Sequence, residues 1–506
     1  MMKNRSVVFT LLAVIAALWT YFYVLSGGGN FPLDDSWIHQ TYGRNLGTLG
    51  EWSFLPGQPS AASTSPLYTI LLSVGYRLSI DFRLWTHMLG GLALALTGIA
   101  GVFLAKHLIP DGRRAWMVGL ALVTAWHLIW AAASGMETAL FSLLTLVMIA
   151  SVSHIESLSL RRGVNFGGFA ALLMLTRPEG VILAALAGLV IIVRFFKRAG
   201  IRQLIMFFAA AAAMFALLTA PYFLYNLNLT GGLLPNTAAA KRSQAAALFE
   251  LSYFERLIRM IVPLLAGGQI LLIPGWIVFV INTIRHGDAK MRPVRWLLIG
   301  WGIALIALYA AWLPLDMQHG RYVIPALPAL ITAGVIGTLE WVRASRRTLI
   351  GRVIGAGVSI STAIVFIAFA LSLGRDAYTR DVAIIDGDMV MAAAWVAENI
   401  PPETLIAIHD IGAVGYFAPR PMLDIGGLIS PQVIPIIRDA EALWSLIESS
   451  GAEYLIAYPY QTPGENPDDP RLCPVFRTNN SVTESAGGTP MIIFRITMGN
   501  GCVFSQ

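Results

Sequence analysis

Long apolar runs, separated by short loops of which every second one is basic, leave this chain few ways to fold. Inside a bilayer every backbone N–H and C=O must be satisfied within its own segment, so an apolar run of about 17–25 residues becomes a spanning helix. Such stretches fall at 7–26, 84–106, 115–133, 136–155, 178–194, 203–225, 262–284, 295–313, 322–342 and 353–373, and a shorter helix at 164–175 pairs with the one at 178–194. Only 13% of the residues are charged, against about 25% in soluble chains. The chain therefore reads as a polytopic α-helical membrane protein with about eleven transmembrane helices.

The loops set its orientation. Lys3 and Arg5, Arg113 and Arg114, and Arg161 and Arg162 fall on one side. So do Arg194 with Lys197, Arg198 and Arg202, then Arg285 with Arg292 and Arg295, then Arg343, Arg346, Arg347 and Arg352. Positive loops stay cytoplasmic, which predicts a cytoplasmic N-terminus and a multi-pass protein of the plasma membrane. The net charge of +6 is thus spent on topology and lipid headgroups, not on nucleic acid. No small-x-small cleavage site precedes Gly27, so 7–26 reads as a retained helix and not a removed signal. Two stretches are constrained by the same rule. The run 166–193 has basic clusters at both ends, so it must turn back, and Thr176-Arg177-Pro178-Glu179-Gly180 is the place to break it. The apolar stretch Pro66–Ile80 is too short to cross and is predicted to lie on the outer leaflet.

Polar residues and proline return after about residue 375. Leu405–Ile408 and Tyr454–Ala457 read as strands, Asp388–Asn399 and Asp439–Ser449 as helices. This divides the chain into a transmembrane module, 1–374, with a first outer loop at 27–83, and a small extracytoplasmic α/β domain, 375–506. Cys473 and Cys502 can form one disulfide there or remain two thiols.

Ionisable residues gather in the outer loops. Asp34-Asp35 precede Trp37, Ile38 and Thr41, whose spacing predicts an amphipathic interfacial helix beginning near the acidic pair, with Asp34 as its N-cap or just before it. Acids beside a membrane are functional candidates as well. Glu137 lies in a tight turn, Arg177 and Glu179 in the helix break, and Lys241 and Arg242 after Leu234-Pro235-Asn236-Thr237. Asp316, His319, Arg321 and Tyr322 lie between two later helices. Each has a structural reading as a cap, an ion pair or a solvated charge. Taken together, they supply the groups that glycosyl transfer from a polyprenyl phosphate needs. One carboxylate takes the acceptor's proton. Cations such as Lys241 and Arg321 stabilise the leaving phosphate.

The acidic pair, the following Tyr42-x-Arg44-Asn45-Leu46 and Ser63-Thr64-Ser65-Pro66-Leu67 resemble the C-type (GT-C) membrane glycosyltransferases, and within them the family 39 mannosyltransferase-like and arabinofuranosyltransferase-like proteins. Gly135-Met136-Glu137, Arg177-Pro178-Glu179-Gly180, Leu234-Pro235-Asn236-Thr237 and Asp410-Ile411-Gly412-Ala413-Val414-Gly415-Tyr416 are similar to recurrent elements of that group. The resemblance implies a polyprenyl-phosphate-linked sugar donor and a glycan, lipid or protein acceptor. It maps the catalytic acid onto Asp34, with Asp35 where many relatives carry Glu, and a second acid onto Glu137. Arg177, Glu179, Lys241, His319 and Arg321 are then the substrate-binding candidates. Some relatives use a divalent metal; no residue spacing here marks its ligands, and metal is left open. Three other classes fit part of the pattern: a polymerase or ligase of lipid-linked glycans; a transporter, which would require paired helix breaks at mid-membrane; and a membrane scaffold with an outer interaction domain, which would not need the clustered acids and bases.

Overall fold

A computed structural model describes residues 2–109, 112–235, 237–285, 291–346 and 348–497. The chain divides into two compact units. The first comprises Met1–Val24, His87–Tyr222 and Leu248–Asp376; the second comprises Leu25–Thr86, Phe223–Ala247 and Ala377–Gln506.

The first unit is helical. Among the described residues the chain has seven helices long and apolar enough to cross a membrane, or eight if the bent pair Gly112–Thr124 and Trp126–Ala133 is one span. The protein is a multi-pass membrane protein. Three shorter helices, Thr138–His154, Leu160–Thr176 and Gly180–Phe195, occupy further apolar stretches. The break between the last two falls at Arg177, whose extended backbone (φ −153°, ψ 135°) ends the first of them. Glycine lets helices touch. A Cβ on Gly163 or Gly167 would stand 2.4 Å from the Phe207 carbonyl oxygen and 2.1 Å from that of Ala211. This small-xxx-small face seats Leu160–Thr176 against Ile201–Thr230.

The stretch after residue 250 departs from expectation. The single helix read at 262–284 is divided into Tyr253–Leu265, a 3₁₀ turn Gly268–Leu272, and Ile273–Arg285. Pro263 offers no N–H to the helix, and Gly267 and Gly268 follow it, so propagation stops there.

The second unit is built on a five-stranded sheet. Met422–Asp424, Ile406–Ile408 and Tyr454–Ala457 are parallel neighbours in that order. Ile492–Ile496 and Leu472–Arg477 continue it antiparallel. Successive residues of a strand point to opposite faces, and both faces are covered. Ile406, Ile408, Ile456 and Ile493 pack with Phe31, Trp37, Tyr42 and Phe54. Ala407, Leu423, Leu455 and Phe494 pack with Leu443, Trp444 and Ile447 from helix Ala440–Ser450. The segment after the first helix and the C-terminal segment therefore share one core.

Helix Asp34–Leu49 is buried along most of its length. It is not the half-exposed interfacial helix that its spacing suggested, because Trp37 and Tyr42 face the shared core while Gly43 and Gly47 face helix Pro66–Arg77. A Cβ at Gly47 would lie 2.6 Å from the Ser73 carbonyl oxygen. Pro66–Arg77 has 12 residues, about 18 Å of helix, too little to cross the ~30 Å hydrocarbon layer. Cys473 is disulfide-bonded; Cys502, the other cysteine, lies outside the described residues.

Candidate active site

Asp34 does not cap its own helix. Leu33 holds the N-cap position, and no side chain caps there. The Asp34 carboxylate instead caps a helix 378 residues away in sequence. Its Oδ2 accepts the Gly412 N–H at 2.7 Å and its Oδ1 accepts the Ala413 N–H at 2.8 Å. These amides open helix Gly412–Phe417, where free N–H groups and the helix dipole favour an anion. Gly412 is required for the approach, since a Cβ there would stand 2.1 Å from the Asp34 carbonyl oxygen and 2.6 Å from Oδ2. Asp410, two residues before this helix, does not cap it. Its Oδ2 accepts Gln461 Nε2 at 2.8 Å and its Oδ1 lies 3.3 Å from His409 Nδ1.

Burial and the nearby Asp410 carboxylate push the Asp34 carboxyl up to about 8, against the two amides that stabilise its anion. Burial alone would lower the His409 imidazole, but the Asp410, Asp424 and Asp34 carboxylates outweigh it and raise it. Asp424 is fully buried, and its carboxylate accepts the amides of Gly426, Gly427, Leu428 and Ile429.

Asp35 points elsewhere, one residue around the helix turn. Its Oδ2 pairs with Lys241 Nζ at 2.8 Å, both side chains partly exposed. Helix Thr237–Gln244 holds Lys241 in place. Its ends are tied by Thr237 Oγ1 donating to the Ala62 carbonyl at 3.0 Å and Gln244 Nε2 donating to the Gly426 carbonyl at 3.2 Å. Asp34, Asp35, Lys241, His409 and Asp410 thus all belong to the second unit.

The remaining candidates lie in the first unit. Arg177 Nε lies 2.6 Å from Glu179 Oε1, and its NH1 lies 3.8 Å from Glu137 Oε1. Its NH2 donates to the Tyr309 hydroxyl at 2.7 Å, and that hydroxyl donates to Glu179 Oε1 at 2.5 Å. The guanidinium also lies 5.5 Å from the Tyr322 ring centre. Arg321 stacks over the same ring at 4.9 Å and donates to the Tyr322 hydroxyl at 3.1 Å. His319 lies edge-on to Trp126 and Trp130. It lies in a left-handed run, Gln318, His319 and Gly320 all having positive φ. Among the described residues no group of three or more His, Cys, Asp or Glu side chains is disposed to hold a metal ion.

Sequence reasoning missed the Asp34–Gly412 partnership, Tyr309 and Gln461. A glycine two residues after an acid marks a tight turn, but nothing in a single sequence says which carboxylate will occupy it.

Solved structures identify the architecture as the C-type glycosyltransferase fold. The chain is similar to ArnT from Cupriavidus metallidurans bound to undecaprenyl phosphate, with 15% identity over 99% of this chain and 100% of that one, at a TM-score of 0.59. It is similar to the oligosaccharyltransferase AglB from Archaeoglobus fulgidus in complex with an inhibitory peptide and a dolichol-phosphate, with 13% identity over 89% of this chain and 69% of that one, at a TM-score of 0.57. It also resembles the mycobacterial arabinofuranosyltransferase AftD, with 16% identity over 97% of this chain but 40% of that one, at a TM-score of 0.51. Residues 377–491 match Domain of unknown function (DUF8728). A comparison with curated proteins found no match.

Proposed function

We propose that this protein is a membrane glycosyltransferase that moves a sugar from a polyprenyl-phosphate donor to an acceptor outside the cytoplasm. The observation that carries the reading is a buried carboxylate, Asp34, seated on a helix N-terminus with a second acid–cation pair, Asp35–Lys241, beside it in sequence. In the reaction the acceptor oxygen bonds to the anomeric carbon as the bond from that carbon to the phosphate oxygen breaks. The acceptor's proton passes to Asp34, and the phosphate leaves as an anion. One base and direct displacement give inversion at the anomeric carbon. A carboxyl raised towards 8 is a stronger base than an ordinary carboxylate, which suits a weakly acidic hydroxyl.

Lys241 is the proposed contact for the donor phosphate. Its pair with Asp35 is partly exposed and therefore cheap to exchange for a phosphate. Arg321 is the proposed cation of the first unit, and Arg177, Glu179, Glu137 and His319 are proposed to set its donor-binding surface. Lys241→Ala and Arg321→Ala, tested separately, are each expected to weaken binding of a radiolabelled polyprenyl-phospho-sugar by about 10- to 100-fold, the worth of one charged hydrogen bond. Unchanged affinity in either variant removes that residue from the assignment. Membranes carrying the protein, offered a panel of such donors, test the activity itself: no sugar release from any of them rejects the reading.

The segment 375–506 is proposed to be extracytoplasmic. The alternation of basic loops and a disulfide-bonded Cys473 support this placement. Arg346→Cys should resist an impermeant thiol reagent in intact cells while Ser485→Cys reacts with it; labelling of position 346 from outside overturns the topology.

A further inference from the structure

The carboxyl ends of the three parallel strands bear His409-Asp410, Asp424 and Tyr458. Ligands of open parallel sheets lie outside these strand ends, where the connections diverge. Asp424 is consumed by its four amides, but the other two ends form an open ledge. Tyr458 is buried and stacks against Tyr460, the ring centres 5.5 Å apart and the planes 10° from parallel. Tyr460 is 59% exposed. Gln461 locks the ledge to the site: its Oε1 accepts the Tyr458 N–H at 2.9 Å while its Nε2 donates to Asp410 Oδ2 at 2.8 Å. The Asp410 and His409 side chains remain 22% and 21% exposed. Asp410 lies two residues before Gly412, whose N–H the Asp34 carboxylate accepts, so the ledge adjoins the proposed base.

An exposed ring backed by a second ring, beside a fixed amide, a carboxylate and an imidazole, has the chemistry of a sugar site. The C–H face of a sugar ring is weakly positive and meets the negative face of an aromatic quadrupole. Its hydroxyls both donate and accept, and a carboxylate offers about four acceptor positions, of which Gln461 and His409 use two. Peptides are recognised through a strand edge, a groove or a charge cluster; this ledge is a ring and three planar polar groups. We propose that Tyr460, Gln461, His409 and Asp410 form a saccharide subsite, with Tyr460 stacked on the sugar ring, and that the sugar bound there is the acceptor. Only the second clause rests on the transferase reading.

Saturation-transfer NMR on the full chain in nanodiscs tests it, with neutral trisaccharides of glucose and of mannose, α- and β-linked, as probes. At least one is expected to bind, Tyr460→Ala to weaken that binding about tenfold, and Tyr460→Phe to retain it. Because Tyr460 is exposed, its truncation leaves the core intact. Failure of every trisaccharide to bind, or equal binding by Tyr460→Ala, overturns the subsite. Weakened binding in Tyr460→Ala without any turnover of polyprenyl-phospho-sugars supports the subsite while rejecting the transferase. Turnover onto a saccharide with the same acceptor KM in Tyr460→Ala supports the transferase and rejects the subsite.

Discussion

Asp34→Asn is expected to cut turnover by about 10²–10⁴-fold, the usual contribution of a general base. Asparagine keeps the shape but sets one acceptor and one NH2 donor against the Gly412 and Ala413 amides, so turnover is compared at matched membrane expression. The pH dependence is a sharper signature. With Asp34 raised to about 8, the fraction of ionised base, and hence kcat/KM, should climb as pH rises through about 8 and then level off. The variant should lack that limb. Stability runs the other way. Between the ordinary value of 3.8 and about 8 the native state holds a proton that the unfolded chain releases, so wild-type stability falls as pH rises through that window. Any stability deficit of Asp34→Asn should therefore narrow from pH 5 to pH 8. Asp35→Asn should cost less turnover, since Asp35 faces Lys241. Near-normal turnover of Asp34→Asn at normal membrane expression eliminates Asp34 as the base.

The helical layer was legible because hydropathy and loop charge act along the chain, residue by residue. The break at Arg177-Pro178 followed from two basic loops that must share a side, and the strands at Ile406–Ile408 and Tyr454–Ala457 from short apolar runs. What a single sequence withholds is partnership at long range. Asp34 carried the local signature of an N-cap and serves as one, but for the helix at Gly412, whose own nearby acid is held by Gln461 instead. Trp37 and Ile38 carried the spacing of an interfacial helix. They are buried because residues 31–62 complete the core of the sheet formed after residue 405. Removing the chain after residue 374 would strip that core from around Asp34, so such a truncation tests folding of the second unit and not the acceptor step alone.

Arg177→Met should be the most damaging substitution for stability. The guanidinium is nearly buried between Glu179 and Glu137, with side-chain exposures of 7%, 9% and 8% respectively, and also binds the Tyr309 hydroxyl. A buried ion network repays the desolvation of its charges only while every member is present. Methionine fills much of the arginine stem's volume but leaves two carboxylates without their cation. Loss of one partner from a buried pair costs about 3–5 kcal/mol, more than any surface change in the outer loops should. The exposed pair Arg375–Asp376 is the internal comparison, and Arg375→Met should cost no more than about 1 kcal/mol. Fluorescence-detected size exclusion after graded heating in detergent measures both. The cause is separable from lost packing by a triple variant, Arg177→Met with Glu137→Gln and Glu179→Gln. That variant removes the stranded charges while keeping near-isosteric side chains, and Gln can still accept from Tyr309. It should recover much of the stability lost in Arg177→Met. If the single variant melts like the wild type, or the triple variant melts no higher than the single, the network is not what holds the Glu137 turn and the Arg177 break together.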